Sequence, residues 1–104
     1  MDIIELFRLN IPLFTALGDI HRQDIILLLA QDKQASVTHI AAKMAISRPA
    51  VSHHLKILHA AGLVAITRHG RERLYRLNLL PGARQIKQLV AAIEECQSKK
   101  VLQQ

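Results

Sequence analysis

The stretch SRPAVSHHLKILHAAGLV, Ser47 to Val64, decides how this chain is read. Ser47 carries a side chain suited to capping a helix, and Pro49 falls in the first turn, where its missing N–H costs nothing. The helix is predicted to run to about Ala61, with Gly62 as its stop. At about 100° per residue, with Val51 at zero, Leu55 falls at about 40° and Leu58 at about 340°, and the three define a buried side. Pro49, Ser52, His53, Lys56 and Ala60 fall between roughly 100° and 200°, on a polar, cationic face turned outward. His54 lies at about 300°, beside the core, so the two adjacent imidazoles diverge by about 100°. A histidine pair that chelates one ion from a single helix needs i, i+4 spacing. No metal site is expected from this pair. His54 reads as a half-buried structural residue and His53 as an exposed donor.

Upstream, residues 37–44 place Val37, Ile40, Ala41 and Met44 at i, i+3, i+4, i+7, with Ser36 as N-cap. AIS, Ala45 to Ser47, follows as a three-residue turn that ends on the next cap. Before it, His21 to about Ala30 is predicted helical on a stripe of Ile25, Ile26, Leu28 and Leu29, capped by Asp19, with QDKQAS as a polar connector. Residues 3–16 carry a helical apolar face interrupted near Pro12. Downstream of Gly62 the period changes. LVAITR and RLYRLN read as two short strands flanking HGRE, where Gly70 supplies the turn. Pro81 and Gly82 break the chain again, and a last helix is predicted from about Ala83 to Lys99 with Ile86, Leu89, Val90 and Ile93 on one face.

The expected fold is therefore mainly α with a small β-hairpin, in the order α-α-α-α-β-β-α, as a single domain over residues 1–104. Two helices across a three-residue turn, followed by a basic hairpin, describe a winged helix-turn-helix.

Charge is distributed unevenly. Residues 33–87 hold ten Lys and Arg against Glu72 alone, whereas residues 1–32 hold Arg8 and Arg22 against Asp2, Glu5, Asp19, Asp24 and Asp32. A cationic centre of this kind suits a polyanion partner. Arg48 joins the outward face at the end of the helix that would enter a major groove. Arg68, His69, Arg71 and Arg73 gather at the hairpin tip, where a wing meets phosphates or the minor groove. The candidate DNA-binding residues are Ser47, Arg48, Pro49, Ser52, His53, Lys56, Arg68, His69, Arg71 and Arg73.

With one cysteine, Cys96, a disulfide within the chain is impossible, and a reducing, cytoplasmic setting is expected. MDIIELFRLN lacks the basic start and cleavage site of a signal peptide, and no apolar run reaches spanning length. No G-x-S-x-G, phosphate-cradling glycine loop or H-E-x-x-H is present, so an enzyme is not expected.

Taken together, ALGD.HR, S..AVSHHLK.L..AGLV and R.GRE.LYRL closely resemble the ArsR/SmtB winged-helix repressors over about residues 13–78. The resemblance implies a homodimer built from the first and last helices, with Ile4, Phe7, Ile86, Leu89, Val90 and Ile93 as candidate dimerisation residues. It implies repression from near-palindromic double-stranded DNA, with no membrane association. The sensing residues of the family do not carry over. Ser36 and Thr38 stand where arsenic, lead and cadmium sensors have Cys-x-Cys. The last helix offers only Glu94 and Glu95 where zinc and nickel sensors place acids and histidines. No cofactor or metal is therefore expected, and zinc, nickel, cadmium and arsenite are expected to leave a bound operator in place. Ala45 stands where the family has glycine, and a left-handed alanine there costs on the order of 1 kcal/mol. The alternatives are a winged helix used for protein contacts, or a metal or thiol sensor with a non-standard site. Duplex binding with a steep salt slope favours the DNA reading over the first.

Overall fold

The computed structural model describes residues 1–99. Its elements are α1 (Ile3–Leu9), α2 (Ile11–Leu17), α3 (Ile20–Asp32), α4 (Val37–Met44), α5 (Arg48–Ala60), β1 (Val64–His69), β2 (Glu72–Leu77) and α6 (Leu80–Ser98). The fold is the expected winged helix, with one helix more than the sequence suggested. The apolar run 3–16 is divided at Asn10, whose side-chain Nδ2 donates to Leu6 O at 2.8 Å while Pro12 occupies the first turn of α2. Pro12 thus starts a helix, where it needs no hydrogen-bond partner for its nitrogen.

The predicted caps are in place. Asp19 Oδ1 accepts from Arg22 N at 3.1 Å, Ser36 Oγ from His39 N at 3.1 Å, and Ser47 Oγ from Ala50 N at 3.2 Å. Each satisfies one amide that the first helical turn leaves orphaned. At the far end of α5, Gly62 (φ 77°) closes a Schellman motif: Gly62 N donates to His59 O at 2.9 Å and Leu63 N to Leu58 O at 2.9 Å.

Ala45 ends α4 in the left-handed region, φ 55° and ψ 38°, so the turn keeps its glycine-like geometry without a glycine. Ala45→Gly is expected to raise stability by about 0.5–1 kcal/mol, the relieved strain exceeding the added freedom of the unfolded chain. Chemical denaturation midpoints check this; an unchanged or lower midpoint would show the alanine to be unstrained.

The strands pair antiparallel from Val64↔Leu77 to His69↔Glu72, leaving Gly70 and Arg71 as a two-residue turn with Gly70 at φ 61°. The turn is thus tighter than HGRE, because both strands run into it. Ala35 and Tyr75 also exchange backbone hydrogen bonds of 3.0 and 2.9 Å, tying the α3–α4 connector to β2.

α6 begins at Leu80, earlier than expected, with Pro81 in its first turn. The Pro81–Gly82 pair starts the helix instead of breaking the chain before it. Gly82 is buried, and a Cβ there would lie 3.1 Å from Leu13 Cδ2 and 3.2 Å from Leu63 Cδ2. Its missing side chain lets the start of α6 press onto α2 and the end of the helix-turn-helix.

The core gathers Leu13, Ile25, Leu29, Ile40, Val51, Leu55, Leu58, Val64 and Tyr75 around the helix-turn-helix. A second packing layer joins α1 to α6 and buries Leu6 and Leu89. Leu89, expected to face a second chain, is only 4% exposed within this single chain. Ile86 is also half-buried against the core. The apolar arc of α6 is wide enough for one edge to turn inward and the other outward. The outward residues are Ile4, Phe7, Val90 and Ile93, at 50, 40, 47 and 41% exposure.

Candidate nucleic-acid interface

α5 divides as its periodicity requires. Val51, Leu55 and Leu58 are buried, while Ser47, Arg48, Pro49, Ser52, His53 and Lys56 are exposed. Burial of the first three fixes the rotation of the helix, and that rotation alone sets which side chains look outward. Arg68, His69, Arg71 and Arg73 are exposed along the hairpin and its tip. A cleft of about 410 Å³ separates α5 from the hairpin, and its lining brings together Ser52, Lys56, His59 and Arg73. Helix and wing thus form one continuous cationic surface.

Among the described residues, none of Arg48, Lys56, Arg68, Arg71 and Arg73 has a carboxylate partner. Arg68 stands directly across the strand pair from Arg73. Like charges at facing positions destabilise a hairpin, so the isolated fold gains nothing from this pair.

His54 lies on the inner flank of the same helix, its side chain 12% exposed. Its Nδ1 is 3.2 Å from Nη1 of Arg22, itself only 8% exposed. Arg22 Nε donates to Ala16 O at 2.8 Å and Nη2 to Thr15 O at 2.9 Å. One guanidinium thereby ties the carbonyl end of α2 and the start of α3 to the middle of α5. Burial holds the His54 imidazole below its ordinary pKa, with Asp19 opposing and the charges of Arg22, His21 and His53 adding to the shift. The neutral ring accepts the Arg22 proton at Nδ1. Asp19 is held below the ordinary carboxylate range chiefly by the amide of Arg22 that it caps.

The Ser36 hydroxyl accepts from the His39 amide as the cap of α4. Glu95 on α6 pairs with Lys99 at 2.7 Å. At the end of α3, Asp32 accepts from His39 at 2.8 Å, which lowers its pKa, with Lys43 at 3.8 Å assisting.

Three residues of this region were not assigned to the interface from the sequence. Arg22 falls at i, i+3, i+7 with Ile25 and Leu29, so its place on an otherwise apolar stripe is a signal of a buried, hydrogen-bonded arginine. Tyr75 lines the cleft from β2 while bonded to Ala35, and His59 closes the end of the cleft. Those two placements depend on strand register and hairpin curl, which have no local signature.

A helix-turn-helix whose second helix is backed by a cationic hairpin defines the winged helix-turn-helix class. The family described as "Bacterial regulatory protein, arsR family" matches residues 19–65. The HTH-type transcriptional repressor SmtB of Mycobacterium tuberculosis is 46% identical over 52 residues, a match covering 50% of this chain and 38% of that protein. The uncharacterized HTH-type transcriptional regulator MJ1325 of Methanocaldococcus jannaschii is 33% identical over 72 residues, 69% of this chain and 81% of that one. Among solved structures, the homodimeric winged helix-turn-helix DNA-binding domain Mb0332 of Mycobacterium bovis superposes with a TM-score of 0.67 at 25% identity, covering 93% of this chain and 84% of that one. The chain belongs to the arsR family of bacterial regulatory proteins. No helix among the described residues is long and apolar enough to cross a membrane.

Proposed function

We propose that this protein is a transcriptional regulator that binds near-palindromic double-stranded DNA as a homodimer and represses from it. The observation that carries the reading is the unpaired cationic surface spanning α5 and the hairpin, set on a helix whose rotation the core fixes. Arg48, Ser52, His53 and Lys56 enter the major groove, with Ser47 and Pro49 at the leading turn. Arg68, His69, Arg71 and Arg73 meet the backbone or the minor groove, and the DNA phosphates relieve the opposition of Arg68 and Arg73. Relatives described as repressors, and a homodimeric DNA-binding structural neighbour, support the same reading.

The second copy is supported by the shape of the chain as well. Its radius of gyration is 16.7 Å, against about 13 Å for a compact domain of about 100 residues. An elongated chain with Ile4, Phe7, Val90 and Ile93 outward on neighbouring helices suits a two-fold partner covering α1 and α6. Such a dimer presents two copies of α5 about one helical turn of DNA apart, on half-sites roughly 10–11 bp between centres.

Substitutions separate the two parts of the surface. Arg71→Ala is expected to weaken binding to all duplexes alike and to reduce the salt slope by about one per protomer. His53→Ala is expected to change the ranking among operator variants, since a good base contact is worth about 1–3 kcal/mol. Binding of a panel of single-base operator variants checks both. An unchanged ranking for His53→Ala would remove His53 from the base-reading set.

A further inference from the structure

The sequence separates His53 from His54 but cannot show what stands opposite His54. The fold brings His21, in the first turn of α3, to within 5.5 Å of His54 between ring centroids, with the rings inclined at 61°. Asp19, the N-cap of the same helix, places Oδ1 4.0 Å from His54 Nδ1. One ligand atom from each of Asp19, His21 and His54 lies within 4.8 Å of the other two. We propose that these three residues form a binding site for one divalent transition-metal ion of the zinc, cobalt and nickel type.

The donor set selects that class. Two imidazoles and one carboxylate suit borderline ions, whereas magnesium and calcium take oxygen ligands. Bonds of about 2.0–2.1 Å in a tetrahedral site place ligand atoms roughly 3.4 Å apart, so the present spacing must contract by little more than an ångström. His21 supplies the movement. It is exposed, and among the described residues its ring makes no side-chain hydrogen bond. The ion takes Nδ1 of His54, the nitrogen nearest Asp19, in place of the Arg22 Nη1 contact. Arg22 remains anchored through Thr15 O and Ala16 O. Its positive charge works against a weakly bound cation and restricts the site to ions with high affinity for imidazole. With three protein ligands, a fourth position stays open to water or another donor.

The site lies on the flank of α5 that meets α3, away from the outward face carrying Ser52, His53 and Lys56. A bound ion therefore braces the start of α3 against α5 without occupying the DNA-facing surface. The proposed site departs from the sequence-based expectation that no metal is held and keeps the expectation that metals leave a bound operator in place.

The test is titration of the tag-free, full-length chain with Co²⁺, read by its visible ligand-field bands, and with Zn²⁺ by calorimetry. One equivalent per protomer is expected, together with a Zn²⁺-dependent rise in melting temperature. His21→Ala is expected to leave the melting temperature of the metal-free chain unchanged and to weaken Zn²⁺ binding by at least about tenfold. His39→Ala, at the separate Asp32 cluster, is expected to bind as the unaltered chain does. Absence of saturable Co²⁺ or Zn²⁺ binding, or equal affinity in His21→Ala, would overturn the proposal. Neither readout involves DNA, so failure here leaves the proposed function standing, and failure of DNA binding leaves this site standing.

Discussion

Arg22→Met is expected to lower folding stability by about 3 kcal/mol, the largest loss from any single hydrogen-bonding side chain outside the DNA-facing surface. Methionine keeps most of the buried stem and removes only the guanidinium. The carbonyls of Thr15 and Ala16, accepting at 2.9 and 2.8 Å, then lose their donor in a site with little access to water. His54 Nδ1 loses its donor too. A cation at the carbonyl end of α2 also complements the helix dipole, and that contribution disappears with the charge. For a domain of this size the change corresponds to a fall in melting temperature on the order of 15 °C. Arg22→Lys is expected to recover less than half of the loss, because one ammonium cannot match a planar fork that reaches three acceptors. Thermal and urea denaturation check both variants. A loss below about 0.5 kcal/mol for Arg22→Met would mean that water satisfies these groups as well as the guanidinium does.

The second large effect distinguishes the two edges of α6. Leu89 is buried within one protomer, so Leu89→Glu places a carboxylate where neither water nor a partner charge can reach it. A loss of about 3–5 kcal/mol is expected, enough to unfold much of the population at room temperature. Val90 and Ile93 are exposed in the single chain at 47 and 41%. The double substitution Val90→Glu, Ile93→Glu is expected to give a folded monomer with unchanged far-ultraviolet circular dichroism and half the sedimenting mass. A folded, monomeric Leu89→Glu beside a dimeric double variant would reverse this assignment.

The difference between Leu89 and its neighbours shows where periodicity stops being informative. A helical stripe identifies the apolar side of α6, but it does not say whether that side is covered by its own chain or by another. Ile86 and Leu89 turn toward α1 and the core, while Val90 and Ile93 turn away, and only the packing angle of α6 decides this. Gly82 shows the same thing at the start of the helix. Next to Pro81 it reads as a break, yet its missing Cβ is what lets α6 approach Leu13 and Leu63. α5 was readable almost completely, because Ser47, Pro49 and Gly62 mark its ends and three aliphatic residues fix its rotation. The outward cationic face followed directly. The burial of Arg22 had a local signal in its apolar stripe, but its contact with His54 and the Asp19, His21, His54 cluster did not, since they join residues from helices more than thirty positions apart. Local spacing can exclude a chelate formed within one helix but has no view of one formed between two.

The central claim is that the cationic surface of α5 and the hairpin binds duplex DNA as a two-fold pair, and one measurement tests it most directly. A fluorescent duplex recovered by selection from a random library is titrated with the purified chain at a series of salt concentrations. With six to ten phosphates neutralised by the paired surfaces, log K is expected to fall with log salt at a slope of about −5 to −9, at two chains per duplex. The same chain is expected to bind a scrambled duplex at least about a thousandfold more weakly at physiological salt. A slope shallower than about −2, or equal affinity for the selected and scrambled duplexes, would contradict the account.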